Sequence, residues 1–156
     1  MITVRKFQDS DAEGLAVIML EMVAFYGNPL AVEGSLAEDI VRQARNTQII
    51  VAFDGDSMAG FATYGFLYPV SGLQSFAYLQ QIYVAAAHRR MGVAERLMGL
   101  IAADCQQRGC RWMEWSTGRD NAAARAFYEN LGATGSEKIA YQLSDAALQK
   151  LAMLND

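Results

Sequence analysis

The residues with the clearest chemical potential lie together in Arg89-Arg90-Met91-Gly92-Val93-Ala94, between a segment patterned as a strand and one patterned as a helix. Consecutive backbone amides at the start of a helix have no carbonyl partner within it, and together with the helix dipole they favour an anion. Gly92 would let a phosphate approach the backbone with no side chain in between, and Arg89 and Arg90 add positive charge to a chain whose formal net charge is -4. A glycine at such a junction also serves simply to relieve crowding, so the turn alone leaves a steric role open beside a binding one. Two nucleotide-binding patterns are excluded: no Lys-Ser or Lys-Thr follows at P-loop spacing, and no Gly-x-Gly-x-x-Gly occurs.

Other reactive side chains are few. Cys105, Cys110 and the single histidine, His88, lack the spacing of a zinc site, so neither a metal nor a disulfide is expected. Both cysteines read as reduced residues near a helix end. The acidic charge balance argues against a broad nucleic-acid footprint, which needs a basic stripe to displace counterions. No signal-type apolar stretch follows Met1-Ile2-Thr3-Val4-Arg5-Lys6, and no run is long enough to span a bilayer. The expectation is a cytoplasmic protein with neither nucleic-acid nor membrane partners. With 156 residues, 53% of them apolar and 19% charged, the chain reads as one domain over residues 1–156, large enough to bury a core.

The elements that must position the Arg89–Ala94 turn follow from periodicity. Ile2 to Phe7 reads as a strand; Ser10-Asp11-Ala12-Glu13 offers a capping box to a helix with apolar positions at Leu15, Ile18, Met19, Met22, Val23 and Tyr26, ended by Gly27-Asn28-Pro29. Ser35 to Arg45 reads as a second, shorter helix. Gln48 to Phe53, the turn Asp54-Gly55-Asp56 and Met58 to Tyr68 read as a hairpin. After a turn over Pro69 to Gly72, Ser75 to Val84 is a strand leading directly to the anion cradle. Gly92 to Arg108 is amphipathic and closed by Gly109, Arg111 to Thr117 is a strand, and Asp120 or Asn121 caps a helix that Gly132 ends. Lys138 to Leu143 reads as a last strand, and Ser144-Asp145 caps a terminal helix. The order predicts a mixed α/β fold whose mostly antiparallel sheet contains one parallel pair, because the strand-helix-strand unit needs a right-handed crossover.

In that setting Arg89, Gly92 and Ala94 match the signature of the GNAT superfamily of acyl-CoA-dependent N-acyltransferases: Arg or Gln, two residues, Gly, one residue, then Gly or Ala. Ile82-Tyr83-Val84 is similar to the family's strand before that loop. Asn121 and Phe127-Tyr128-Glu129-Asn130-Leu131-Gly132-Ala133 resemble its second signature, with a strand between the two as in the family. The resemblance covers nearly the whole chain and implies a GNAT fold that binds acetyl-CoA. Residues 82–84 would pair with the pantetheine as an added strand would. The Arg89–Ala94 loop, through the amides of Met91, Gly92, Val93 and Ala94, would hold the pyrophosphate, and Asn121 would contact the cofactor from the opposite side. Tyr128 would donate a proton to the departing CoA thiolate. A homodimer using the terminal strand and helix is also implied.

Gly60 to Tyr64 and Tyr78 to Val84 are more narrowly similar to the diamine and polyamine N-acetyltransferase branch, which has acidic residues where this chain has Gln80 and Gln81. Glutamine orients an amine or a water but cannot act as a base. Glu33, Glu38 and Glu114 are substitutes that also read as surface or edge carboxylates, and His88 reads as an exposed loop residue. Phe25, Tyr26, Phe66 and Tyr68 fall near the ends of elements that line the family's acceptor cleft. The resulting expectation is direct acetyl transfer from acetyl-CoA to a primary amine of a small molecule, a diamine or polyamine, amino acid or amino sugar, met by Tyr26, Gln80 and Gln81. The alternatives are a protein or peptide N-acetyltransferase and a non-catalytic acyl-CoA-binding module.

Overall fold

The run Ile49-Ile50-Val51-Ala52 is buried at every position, which a strand achieves only where both faces of its sheet are covered. A computed structural model, describing residues 1–28, 32–70 and 72–155, shows what covers them. Strands β1 (Ile2–Lys6), β2 (Gln48–Asp54), β3 (Ser57–Val70), β4 (Gln74–Val84) and β5 (Met113–Glu114) form one sheet in the order β1-β2-β3-β4-β5. The first three pairings are antiparallel and β4–β5 is parallel. This is the mixed α/β architecture expected from the order of elements.

Period-two alternation divides the sheet residues between two layers. Ile49, Val51, Phe61 and Tyr83 pack with Leu15, Ala16 and Ile18 of α1 (Ala12–Tyr26) and with Ala37 and Ile40 of α2 (Leu36–Gln43). Residues of opposite parity face α3 (Val93–Gln107), whose Val93, Leu97 and Ile101 are buried. Tyr64 fixes that helix from beneath, its hydroxyl donating to Asp104 Oδ2 at 2.7 Å. Burial pushes the Asp104 carboxyl up, but Tyr64, Lys6 and Arg108 together outweigh it and hold the carboxyl below its ordinary range.

Helix ends follow the glycines. Gly27 and Gly109 take φ of 67° and 69° after α1 and α3. Pro29, the expected final stop of α1, lies outside the described residues, as does Ser71 in the Pro69–Gly72 turn, and β3 continues through Pro69 to Val70. Ser35 caps α2, its Oγ accepting from the Glu38 amide.

Three expectations need correction. The start of α1 is not a Ser10 capping box. A 3-10 turn, Asp9–Asp11, precedes it, and Asp11 accepts the Gln8 amide at 2.8 Å and both terminal nitrogens of Arg5 at 2.6 and 2.7 Å. A carboxylate shared by a guanidinium and an amide makes stronger bonds than a serine hydroxyl can. The strand expected over Arg111 to Thr117 is reduced to Met113–Glu114. Lys138 to Leu143 forms no strand, and its Ile139 and Tyr141 are 80% and 92% exposed. A β pattern becomes a strand only with a ladder partner.

The chain divides into two compact units, Met1–Ser116 and Thr117–Asp156. Among the described residues of the second, the regular elements are α4 (Ala122–Asn130), α5 (Asp145–Ala152) and a 3-10 turn, Met153–Asn155, so no strand is at hand to pair with 138–143. Gly132, with φ of 88°, follows α4. Ser144 occupies the N-cap position of α5 without a side-chain bond.

The Arg5–Asp11 pair should make the fold acid-sensitive. Arg5, first through its hydrogen bonds, lowers the Asp11 pKa. A depressed aspartate stabilises the fold fully above its unfolded pKa, about 4, and that contribution is lost as pH falls through the lower folded value. Asp11→Asn is expected to cost about 1.5–3 kcal/mol at pH 7 in urea unfolding, with the difference from wild type shrinking below pH 4. A pH-independent difference would contradict the assignment.

Candidate functional site

An interior strand normally pairs along both edges, and β4 does so for only part of its length. Its ladder to β5 consists of Ala77↔Met113 and Tyr78↔Glu114, with Ala77 donating to the Trp112 carbonyl and Arg111 to that of Ser75, both at 3.1 Å. Beyond Tyr78 the register to β5 ends, while β4 continues to Val84 against β3. The stretch from Leu79 to Val84, which contains Ile82, Tyr83 and Val84, therefore offers backbone donors and acceptors toward the fork. An extended, amide-bearing ligand can add there as a strand.

A bulge sits at the fork. Thr63 opposes Gln81 and Tyr64 opposes Leu79, leaving Gln80 unmatched in the register. Gln80 Oε1 accepts from Thr47 Oγ1 at 2.8 Å, and Gln81 Nε2 contacts Met22 Sδ at 3.0 Å, so Gln81 reaches α1. Glu114 is the last residue of β5, at the point where the strands part.

Past Val84 the chain makes a 3-10 turn, Ala86–His88, then Arg89 to Gly92, and α3 begins at Val93. Arg90 and Gly92 have φ of 63° and 76°, so two left-handed residues flank Met91 just before the helix. The first bond to close the helix is Arg96 N–H to the Gly92 carbonyl, at 3.2 Å. The amides of Val93, Ala94 and Glu95 precede it, and no side chain caps them. These amides lie at the end of the same strand whose edge is open, and those of Val93 and Ala94 are among the four, Met91 to Ala94, expected to meet an anion.

The arginines divide their work. The Arg89 side chain turns back: its Nε donates to the Val84 carbonyl at 3.3 Å, its Nη2 to the Tyr83 hydroxyl at 3.2 Å, and its guanidinium lies 4.6 Å from the Phe25 ring centre. Arg90 is exposed on the loop. The Tyr83 side chain is buried toward α1 and donates to Glu21 Oε1 at 3.0 Å. Burial first, and then Glu21, pushes the phenol's pKa up. Tyr83 can thus serve an added strand only through its backbone. Tyr26 packs edge-on against Phe25, ring centres 5.1 Å apart, and both are partly exposed.

Glu21 escaped the sequence reading. Its Oε1 also accepts the Ala86 amide at 2.8 Å, just before the cradle. A signal was present, since Glu21 lies three residues after Ile18 and four before Phe25, a carboxylate on the helix's apolar face. Of the other candidates, Glu33 and Glu38 are exposed, and His88 is half-buried, with an Nδ1 that has no hydrogen-bond partner. Cys105 and Cys110 are free thiols at the far end of α3. No group of three metal-ligating side chains occurs among the described residues, and none of their helices is long and apolar enough to cross a membrane.

Thus Tyr26, Gln80, Gln81 and Ile82 to Ala94 belong to the first unit. The second carries Asn121 and Tyr128. Asn121 caps α4, its Oδ1 accepting from the Ala124 amide at 3.1 Å, and Tyr128 is half-buried beside Phe127.

With this geometry in view, residues 16–133 match the acetyltransferase (GNAT) family. The chain belongs to that family. It is accordingly an acetyl-CoA-dependent N-acetyltransferase. No curated protein matches it by sequence. Solved structures share its fold at low identity. An integron cassette protein from the mobile metagenome of V. cholerae superposes with a TM-score of 0.82 at 23% identity over 97% of each chain. A ribosomal-protein-alanine N-acetyltransferase from Brucella melitensis biovar Abortus 2308 gives 0.76 at 18%, over 93% of this chain and 99% of that one. AAC(6')-Iy in complex with the bisubstrate analog CoA-S-monomethyl-acetylneamine gives 0.77 at 20%, again over 93% and 99%.

Gly60 tests how tightly the acetyltransferase's site is built. A Cβ there would lie 2.6 Å from the Tyr83 carbonyl oxygen and 3.2 Å from Val84 Cα, pressing on β4, and would touch Val93 Cγ1 of α3 at 3.4 Å. Gly60→Ala is expected to cost about 1–3 kcal/mol in thermal or urea unfolding and to weaken acetyl-CoA binding. Gly65→Ala, whose Cβ would meet nothing within 4 Å, should leave binding unchanged. Equal behaviour of the two variants would contradict the packing account.

Proposed function

We propose that this acetyltransferase transfers the acetyl group of acetyl-CoA directly to a primary amine of a small molecule, an amino sugar or amino acid in preference to a diamine or polyamine. The observation that carries the reading is one strand, β4, whose open edge runs into the uncapped amides at the start of α3. Under this reading Ile82, Tyr83 and Val84 pair through their backbones with the pantetheine. The amides of Met91, Gly92, Val93 and Ala94 hold the pyrophosphate, with Arg90 adding charge. Asn121 contacts the cofactor, and Tyr128 protonates the departing thiolate. The family match runs unbroken across the boundary between the two units, which supports residues 1–156 acting as one domain.

The acceptor follows from what the fork offers. Gln80 and Gln81 supply carboxamides, which hydrogen-bond hydroxyls and neutral amines but hold no charge against an alkyl diammonium. The CoA-linked acetylneamine in the similar AAC(6')-Iy structure supports an amino-sugar acceptor. Tyr26, exposed beside Phe25 at the end of α1, supplies an apolar face for such a ring. The amine attacks the thioester carbonyl as its proton leaves, directly or through water, to Glu114 at the fork. The carbon–sulfur bond then breaks, and Tyr128 gives its proton to sulfur. A second reading, acetylation of a peptide amine, has the support of the likeness to the ribosomal-protein-alanine N-acetyltransferase.

Release of CoA thiol from acetyl-CoA should be stimulated by aminoglycosides or amino acids more than by diamines, polyamines or a peptide. Stimulation by the peptide alone would favour the second reading, and no stimulation by any acceptor would favour a binding module. Tyr128→Phe should lower kcat about a hundredfold with little change in KM for acetyl-CoA, and unchanged turnover would remove Tyr128 from the chemistry.

A further inference from the structure

Two left-handed backbone positions in four residues do not hold themselves. Gly92 adopts its φ freely, but Arg90 at 63° carries a side chain in a region that costs about 1 kcal/mol or more and persists only where its surroundings enforce it. The contacts that anchor the residues before it run out of the loop to α1. Glu21 on α1 accepts the Ala86 amide at 2.8 Å and the Tyr83 hydroxyl at 3.0 Å through the same oxygen. The Tyr83 hydroxyl in turn accepts from Arg89, whose other nitrogen holds the Val84 carbonyl and whose plane rests on Phe25, one turn of α1 after Glu21. The strand end, the 3-10 turn and the first residue of the loop are thereby tied to one helix, and Glu21 is the only carboxylate in that set of contacts.

We infer that Glu21 is a positioning residue for acetyl-CoA, holding the Ala85–Gly92 loop in the conformation that presents the cradle amides, and that it acts through Tyr83 and Arg89 without touching the cofactor. The inference rests on the proposed placement of the pyrophosphate at these amides. Its chemistry has a further consequence. A carboxylate this near an anion site would repel the cofactor's phosphates, and Arg89, which shares the Tyr83 hydroxyl with Glu21, offsets that charge. Because α1 also carries Met22, Phe25 and Tyr26, the strap ties the acceptor-side helix to the cofactor loop.

The test uses the full chain, with CoA binding followed by calorimetry and steady-state kinetics in acetyl-CoA. If Glu21→Ala leaves the loop competent a tenth of the time, the apparent Kd and KM for the cofactor rise about tenfold while kcat at saturation stays within about threefold. Glu21→Gln keeps an oxygen that accepts both bonds and should restore KM to within about threefold of wild type. Arg89→Ala, which leaves the carboxylate uncompensated, should be partly rescued by adding Glu21→Gln. Glu21→Ala with KM unchanged overturns the inference, whether or not its melting temperature falls, as does a Gln variant as impaired as Ala in KM. Gly92→Val separates the levels, since a β-branched residue at φ of 76° disrupts the cradle itself. CoA binding that survives Gly92→Val would refute the placement of the pyrophosphate, whereas binding lost there but untouched in Glu21→Ala would refute only the role of Glu21.

Discussion

Parting β4 from β5 after Tyr78 leaves half of an interior strand without a ladder on that edge among the described residues, and the rest of the first unit is organised around that edge. Unpaired amides are tolerated where water or a ligand reaches them. The strand must nevertheless stay straight without a ladder on that side. It is held from the other three directions: by the long antiparallel pairing with β3, by Tyr83 buried in the α1 layer, and by the close approach of Gly60 to Tyr83 and Val93. Those same constraints aim the strand at the first turn of α3, so an extended ligand with an anionic group beyond its amides is matched in shape and in charge.

Electrostatics in the molecule are local. A net charge of -4 is compatible with the proposed anion site, because peptide dipoles, oriented amides and Arg90 would act there at short range. The buried carboxylates are paired elsewhere, Asp11 with Arg5 and Asp104 with Tyr64, Lys6 and Arg108, where they fasten β1 to the start of α1 and the far end of α3 to the sheet. Glu21 reaches the strand end and the turn after it from α1, and its bonds there go to a phenol and an amide.

Much of this was legible in the residues. Gly92 announced a turn at a strand-helix junction where the backbone lies open, and the apolar spacing within Gly92 to Arg108 announced the helix that follows. The fork was not legible. Arg111 to Thr117 has the composition of a full strand, and whether it pairs with β4 along two residues or seven depends on a non-local partner that propensity cannot see. The same reason turned Lys138 to Leu143, patterned as a strand, into exposed chain with no ladder. Glu21 lay in plain view on an apolar helical face, but its partners, Tyr83 and Ala86, are sixty-odd positions away. Arg89 was recognised by its motif position, but the contacts of its side chain with Tyr83, Val84 and Phe25 are set by the fold and were not legible.

In the proposed site one strand edge and one helix start together receive acetyl-CoA, and amide hydrogen exchange followed residue by residue tests this most directly. Saturation with acetyl-CoA should slow exchange at amides within 79–84 that face the fork and at Met91 to Ala94, while the β2–β3 turn at Gly55 is unaffected. Slowed exchange confined to other segments, with these amides unchanged in the bound protein, would contradict the account.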